Sequence, residues 1–247
     1  MKTALAARDA RTPQRTAGLR CGLILLVTIG VAAAVGRVIF LEDLATRAEG
    51  VRQQVLQALH RRDPFASKRA DELAFFDGRF AAHPFATVLH VLPGGLFLLL
   101  APLQFSPRVR SRFIQFHRWS GRLLVLAAIT AASTGLFFGL FIPFAGPGES
   151  VPIALFGGLL LYALLKAVVA IRGRQVARHR EWMIRAFALA LAISTVRIVG
   201  AVLDLTVTPA GFGPRPMFVV AIWTGWVTTL GAAEIWIRYT RSHSLAA

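Results

Sequence analysis

The sequence predicts an all-α, polytopic membrane protein with six transmembrane helices in one bundle and both termini in the cytoplasm. Three observations carry this. The chain of 247 residues is 55% hydrophobic and only 16% charged, with a mean hydropathy of +0.59, well below the charge of an ordinary soluble domain. Six apolar runs approach or exceed the roughly 20 residues that a helix needs to cross a bilayer. The basic residues gather in alternate connections between those runs, as the positive-inside rule requires. A net charge of +16 on a soluble chain would suggest nucleic acid. Here the cations lie in short inter-helix connections, so the expected partner is the bilayer and its anionic headgroups. Cys21 is the one cysteine, which excludes an internal disulfide and a thiolate metal site.

Residues 1–20 form a basic tail, read as disordered and cytoplasmic. Residues 21–41 form the first transmembrane helix, with Arg37 snorkelling to the outer headgroups. A cleaved signal peptide ending at Ala34-Val35-Gly36 is the competing reading. A retained helix is preferred, because the apolar run resumes after Arg37 and gives an even helix count.

Residues 42–83 are the longest polar segment, with seven basic residues against seven acids. Leu44, Ala48, Val51, Val55 and Leu59 recur at helical spacing. They predict an amphipathic helix ended by Pro64. Leu73, Phe76 and Phe80 predict a second, shorter one. Both are expected in the outer interface, as a lid on the bundle.

Residues 84–238 form a five-helix core, and residues 239–247 a cytoplasmic tail. The second helix, Pro84–Phe105, carries Pro93, which should kink or break it. Residues 106–122 hold five arginines and no acid, a cytoplasmic loop. Leu123–Phe144 is the third helix, where Gly135 and Gly139 allow close helix approach. The fourth is Pro152–Ile171, with Lys166 snorkelling near its inner end. Residues 172–185 are the second basic loop, Ala186–Leu205 the fifth helix, residues 206–216 an outer turn, and Met217–Ile237 the sixth helix.

Two basic lips stand out: His117-Arg118-Trp119-Ser120-Gly121-Arg122, and Arg178-His179-Arg180-Glu181-Trp182-Met183-Ile184-Arg185. Each begins an inside-to-outside helix, a weak sign of repeated hairpins. These lips, with His90, Ala101-Pro102-Leu103-Gln104-Phe105, Ala186-Phe187-Ala188 and Arg197, resemble the bacterial membrane proteins grouped as the domain of unknown function DUF2306. The resemblance implies a bacterial multi-pass protein of the inner membrane. It implies no activity.

Three classes of function follow from the polar residues. In the first, His117 and His179 begin the third and fifth helices at equal depth. Facing imidazoles can hold a b-type haem iron from both sides. Arg118, Arg122, Arg180 and Arg185 would then pair with its propionates, and a quinone is the variant without iron. Against this stands ordinary lipid anchoring by basic and aromatic residues at a membrane boundary. In the second, Arg197 lies about 18 Å from the inner edge of its helix and His90 about 9 Å from the outer edge of its own, at 1.5 Å per residue. With Asp204, two turns from Arg197, they would line an outward ligand or ion pathway beside the Pro93 break. Glu234 is counted with these ligand or ion pathway residues; it also lies at the depth of Arg185, with which it is expected to pair. In the third, the chain is an accessory protein whose outer segment binds a partner. There is no Walker A loop, nucleophile elbow or zinc-protease motif.

Overall fold

The computed structural model describes residues 2–63, 65–206 and 212–244, with side chains from residue 18 to residue 242. Nine helices appear among them: α1 (Lys2–Ile39), α2 (Leu44–Ala58), α3 (Ala66–Ala81), α4 (Pro84–Gln104), α5 (Pro107–Arg112), α6 (Ile114–Phe141), α7 (Pro147–Arg172), α8 (Val176–Thr206) and α9 (Pro214–Ser244). Six of them, α1, α4 and α6–α9, are long and apolar enough to cross a bilayer. Large apolar side chains stand exposed around the girth of the bundle, among them Ile24, Leu126, Leu165 and Ile235. A soluble protein rarely shows so continuous an apolar belt.

α8 is the hub. It packs on α9, α7, α1 and α4, while α4 packs on α6 and α6 on α7. The core is built of small and large residues in alternation: Phe97, Leu98 and Ala101 of α4, Leu124 and Ala128 of α6, Ala163 and Leu164 of α7, and Ala186, Phe187 and Leu191 of α8. Lipid tails are as apolar as leucine, so close packing of small residues holds such helices together. Ala163, Ala167, Ala186 and Ala192 are wholly buried because they sit at these approaches.

The elements differ from the sequence expectation in four places. The basic tail continues α1 rather than forming a separate disordered stretch; alanines at positions 4, 6, 7 and 10 favour helix. The two basic loops are mostly helical, as α5 and as the first turns of α6 and α8. Of the kink or break expected at Pro93, the break does not occur: α4 runs through Pro93 and Pro102 without ending. Proline removes one hydrogen bond, and the neighbouring helices hold the segment in place: a Cβ on Gly95 would lie 2.9 Å from Ala34 of α1. Arg37 does not snorkel. It is buried and bonded to Asp77 at 2.8 Å. The helix ending assigned to Pro64 and part of the last turn, residues 207–211, fall outside the described residues; α2 closes at Ala58.

α2 and α3 form the lid. All of its ties reach one end of the bundle. Asp77 of α3, 1% exposed, accepts from Arg37 of α1, from the backbone N–H of Ala45 and of Thr46, and from the Thr46 hydroxyl. It thus caps α2, whose own N-cap Asp43 makes no capping bond. A carboxylate on free N–H groups at a positive helix end is favourable. Glu49 joins α2 to α3 through Arg69 at 2.7 Å. Arg69 also reaches Asp204 of α8 at 2.5 Å. Arg79 reaches Glu149 of α7 at 2.9 Å and the Ile142 carbonyl. Glu149 in turn accepts from the N–H groups of Phe144 and Ala145 and so holds the α6–α7 turn. Gly146 makes that turn with φ +62°, a conformation that suits glycine. Burial pushes the Arg79 guanidinium below its ordinary pKa; Glu149 opposes this, and the charge of Arg37 adds to it.

Candidate functional site

The end opposite the lid carries both lips. His117 lies in the first turn of α6 and His179 in the first turn of α8, near enough for their charges to interact. His179 Nδ1 lies 2.9 Å from the Ala167 carbonyl of α7. A carbonyl only accepts, so Nδ1 carries the proton and Nε2 keeps its lone pair. His117 Nδ1 is buried with no hydrogen-bond partner among the described residues. The predicted arginines do not converge on this pair. Arg118 and Arg122 are exposed, Arg122 over the Trp119 ring. Arg180 donates to the Thr240 hydroxyl of α9. Arg185 lies over Trp182 and makes a two-point pair with Glu234 of α9 at 2.5 and 2.9 Å. The expected Arg185–Glu234 pair is therefore present.

Beside that pair lies a cavity of about 570 Å³ between α7, α8 and α9. Its polar lining is Lys166, Gln175, Arg178, Glu181, Arg185 and Arg241, and its apolar wall includes Trp182. Glu181 and Arg241 pair across it. The sequence reading took Lys166 as a snorkelling residue and overlooked Glu181 and Arg241. One signal was present: Glu181 and Glu234 are isolated acids beside basic segments, and each marks where an arginine from another helix must arrive.

The three residues expected to line one pathway near the lid are not brought together. His90 faces α6. Its Nδ1 lies 2.8 Å from the Ala131 carbonyl, and Gly135 leaves the room it needs, since a Cβ there would lie 3.0 Å from the His90 ring. His90 is an inter-helix tether. Asp204 is held by Arg69 of the lid, because α3 comes within reach of the end of α8.

Arg197 stands apart. It lies about 14 Å from the Thr206 end of α8 at 1.5 Å per residue. The mass of the bundle surrounds it, yet its side chain is exposed. Among the described residues, none forms an ion pair with it. The charge that acts on it is that of another cation, Arg37. Ser194, one turn away, is wholly buried, and its hydroxyl has no partner among the described residues. A Cβ on Gly200, one turn towards the lid, would meet nothing within 4 Å. No group of three or more metal-ligating side chains occurs among the described residues.

Fold and polar sites together define a multi-pass helical membrane protein with charged sites at depth and at one boundary. A family model described as "predicted membrane protein (DUF2306)" matches residues 87–237, and the chain belongs to that family. No curated protein and no solved structure matches it. The matched span contains both lips, Arg197 and all of the cavity lining except Arg241. It begins after the lid.

Proposed function

We propose that this chain is an anion-binding protein of the bacterial inner membrane and that Arg197 is its recognition group. The reading rests on one observation: a guanidinium at membrane depth with an exposed side chain and no ion-pair partner among the described residues. A cation at the depth of the bilayer without a partner is costly. A ligand carboxylate or phosphate offsets that cost, and the planar guanidinium can meet it at two points. Intramembrane ionisable groups commonly mark such sites. The transporter form of the reading uses the same residue, with the lid over the nearer end.

The test is thermal unfolding of the detergent-purified protein titrated with benzoate and with inorganic phosphate. At least one should raise the unfolding temperature saturably. Arg197→Ala should abolish the rise, and Arg197→Lys should keep a weakened form of it. Equal shifts in the wild type and in Arg197→Ala would remove the proposal.

A second reading, a membrane redox protein holding one b-type haem or a quinone, is favoured by the free Nε2 of His179 and its nearness to His117. A ring nitrogen fixed by a carbonyl is how metal-bound histidines are oriented. Its test is the absorption spectrum after expression with ample haem, before and after dithionite. The expected result is a Soret band that shifts on reduction and is lost in His117→Ala and in His179→Ala. A colourless folded protein rejects the haem, and extraction without quinone rejects the other form.

A further inference from the structure

The geometry points to a binding site for one anionic phospholipid headgroup in the cavity between α7, α8 and α9. It lies at the opposite end of the bundle from the lid, and its fate is independent of the Arg197 reading. Four cations reach it: Lys166, Arg178, Arg185 and Arg241. Two are matched by carboxylates, Arg185 by Glu234 and Arg241 by Glu181. Two are not. Lys166 has its ammonium 5.8 Å from the centre of the Tyr162 ring, and Arg178 donates to the neutral amide oxygen of Gln175 at 3.1 Å. The cavity therefore keeps two positive charges, one from α7 and one from α8, with no carboxylate on either among the described residues.

Phosphate fits this pattern of charge. Its several acceptor oxygens can meet an ammonium from one helix and a guanidinium from the other at once. The volume exceeds what a bare phosphate fills and lies within the range of ordinary ligand sites, roughly 300–1,000 Å³. Apart from the neutral amide of Gln175, the remaining wall is apolar: Val169, Ala170 and Trp182. The site combines the last turns of α7 and α9 with the first turns of α8, at the membrane edge, where tryptophan sits at headgroup level. A diester phosphate with its glycerol against Trp182 and its acyl chains passing into the bilayer matches charge, size and position together.

Diffuse attraction of all the lip arginines to anionic lipid would look different. It would be graded, without fixed stoichiometry, and Arg118 and Arg122, exposed at the start of α6, would contribute as much as the cavity. The experiment is native mass spectrometry of the full chain after delipidation and exchange into micelles doped with phosphatidylglycerol or phosphatidylcholine. The wild type should retain one phosphatidylglycerol, at least tenfold more tightly than phosphatidylcholine. Lys166→Ala with Arg178→Ala should lose that preference, while Lys166→Arg and the pair Arg118→Ala with Arg122→Ala keep it. Circular dichroism would confirm that each variant retains wild-type helix content. Equal retention by the cavity variant, equal loss in the Arg118/Arg122 control, or displacement of the lipid by equimolar glycerol phosphate would overturn the assignment.

Discussion

Asp77→Ala is expected to destabilise the folded protein by about 3–5 kcal/mol, the usual cost of stranding one member of a buried ion pair. Asp77 accepts four hydrogen bonds from three residues on two helices, and its loss leaves Arg37, 6% exposed, without its carboxylate. The cap on α2 goes as well. Thermal unfolding in detergent should show a fall of several degrees, and proteolysis should cut first in residues 42–83. Asp77→Asn should fall between the two, since an amide oxygen still caps α2 but carries no charge. Replacing both partners, Arg37→Leu with Asp77→Leu, should recover much of the loss, because an apolar pair leaves no stranded charge. A wild-type unfolding temperature in Asp77→Ala would show that the lid adds nothing to the stability of the bundle.

Glu149→Ala should cost a similar amount, about 3–5 kcal/mol by the same argument, at a different place. Glu149 is 1% exposed and closes the α6–α7 turn while holding Arg79 of the lid. The two substitutions should not add. Arg37 and Arg79 both lie over the rings of Phe76 and Phe80, so freeing one guanidinium disturbs the seat of the other. Groups that share partners couple by about 0.5–3 kcal/mol. The double variant Asp77→Ala with Glu149→Ala, compared with the sum of the singles, measures that coupling. A sum that holds to within experimental error would mean that the two ends of the lid are independent.

The lid network changes how residues 42–83 are understood. Their charges balance in number, which reads as a solvated, interfacial surface. Four of them instead join the lid to itself or to the bundle from buried positions: Glu49, Arg69, Asp77 and Arg79. The segment is a fixed part of the body. Its ties to α1, α7 and α8 hold the near ends of those helices, and Asp204 is spent in one of them. Arg197, lower on α8, is left without that carboxylate, which is the state on which the proposed function depends.

The class of the protein was legible in the residues. Helices long and apolar enough to span a bilayer must satisfy their backbone internally, so six such runs mean six helices whatever their arrangement. The Arg185–Glu234 pair was legible for a similar reason: an isolated acid on one span and an arginine at matching depth on another have few other partners. The room left at Gly135 and Gly139 followed from the absence of side chains there.

What the sequence alone determined, then, is which groups cannot be left in lipid and roughly how deep each one lies, because depth follows from counting residues along a helix. Which partner each group meets was decided by the tertiary structure. One residue turns a helix by about 100°, so His90, Arg197 and Asp204 share a region of depth, yet His90 faces α6, Asp204 faces the lid and Arg197 meets neither of them. Arg37 counted as near the boundary until a carboxylate from a helix forty residues away closed over it. The cavity between α7, α8 and α9 likewise exists only once three helix ends are set side by side, since the packing that leaves a space is a property of surfaces in contact and of no single segment.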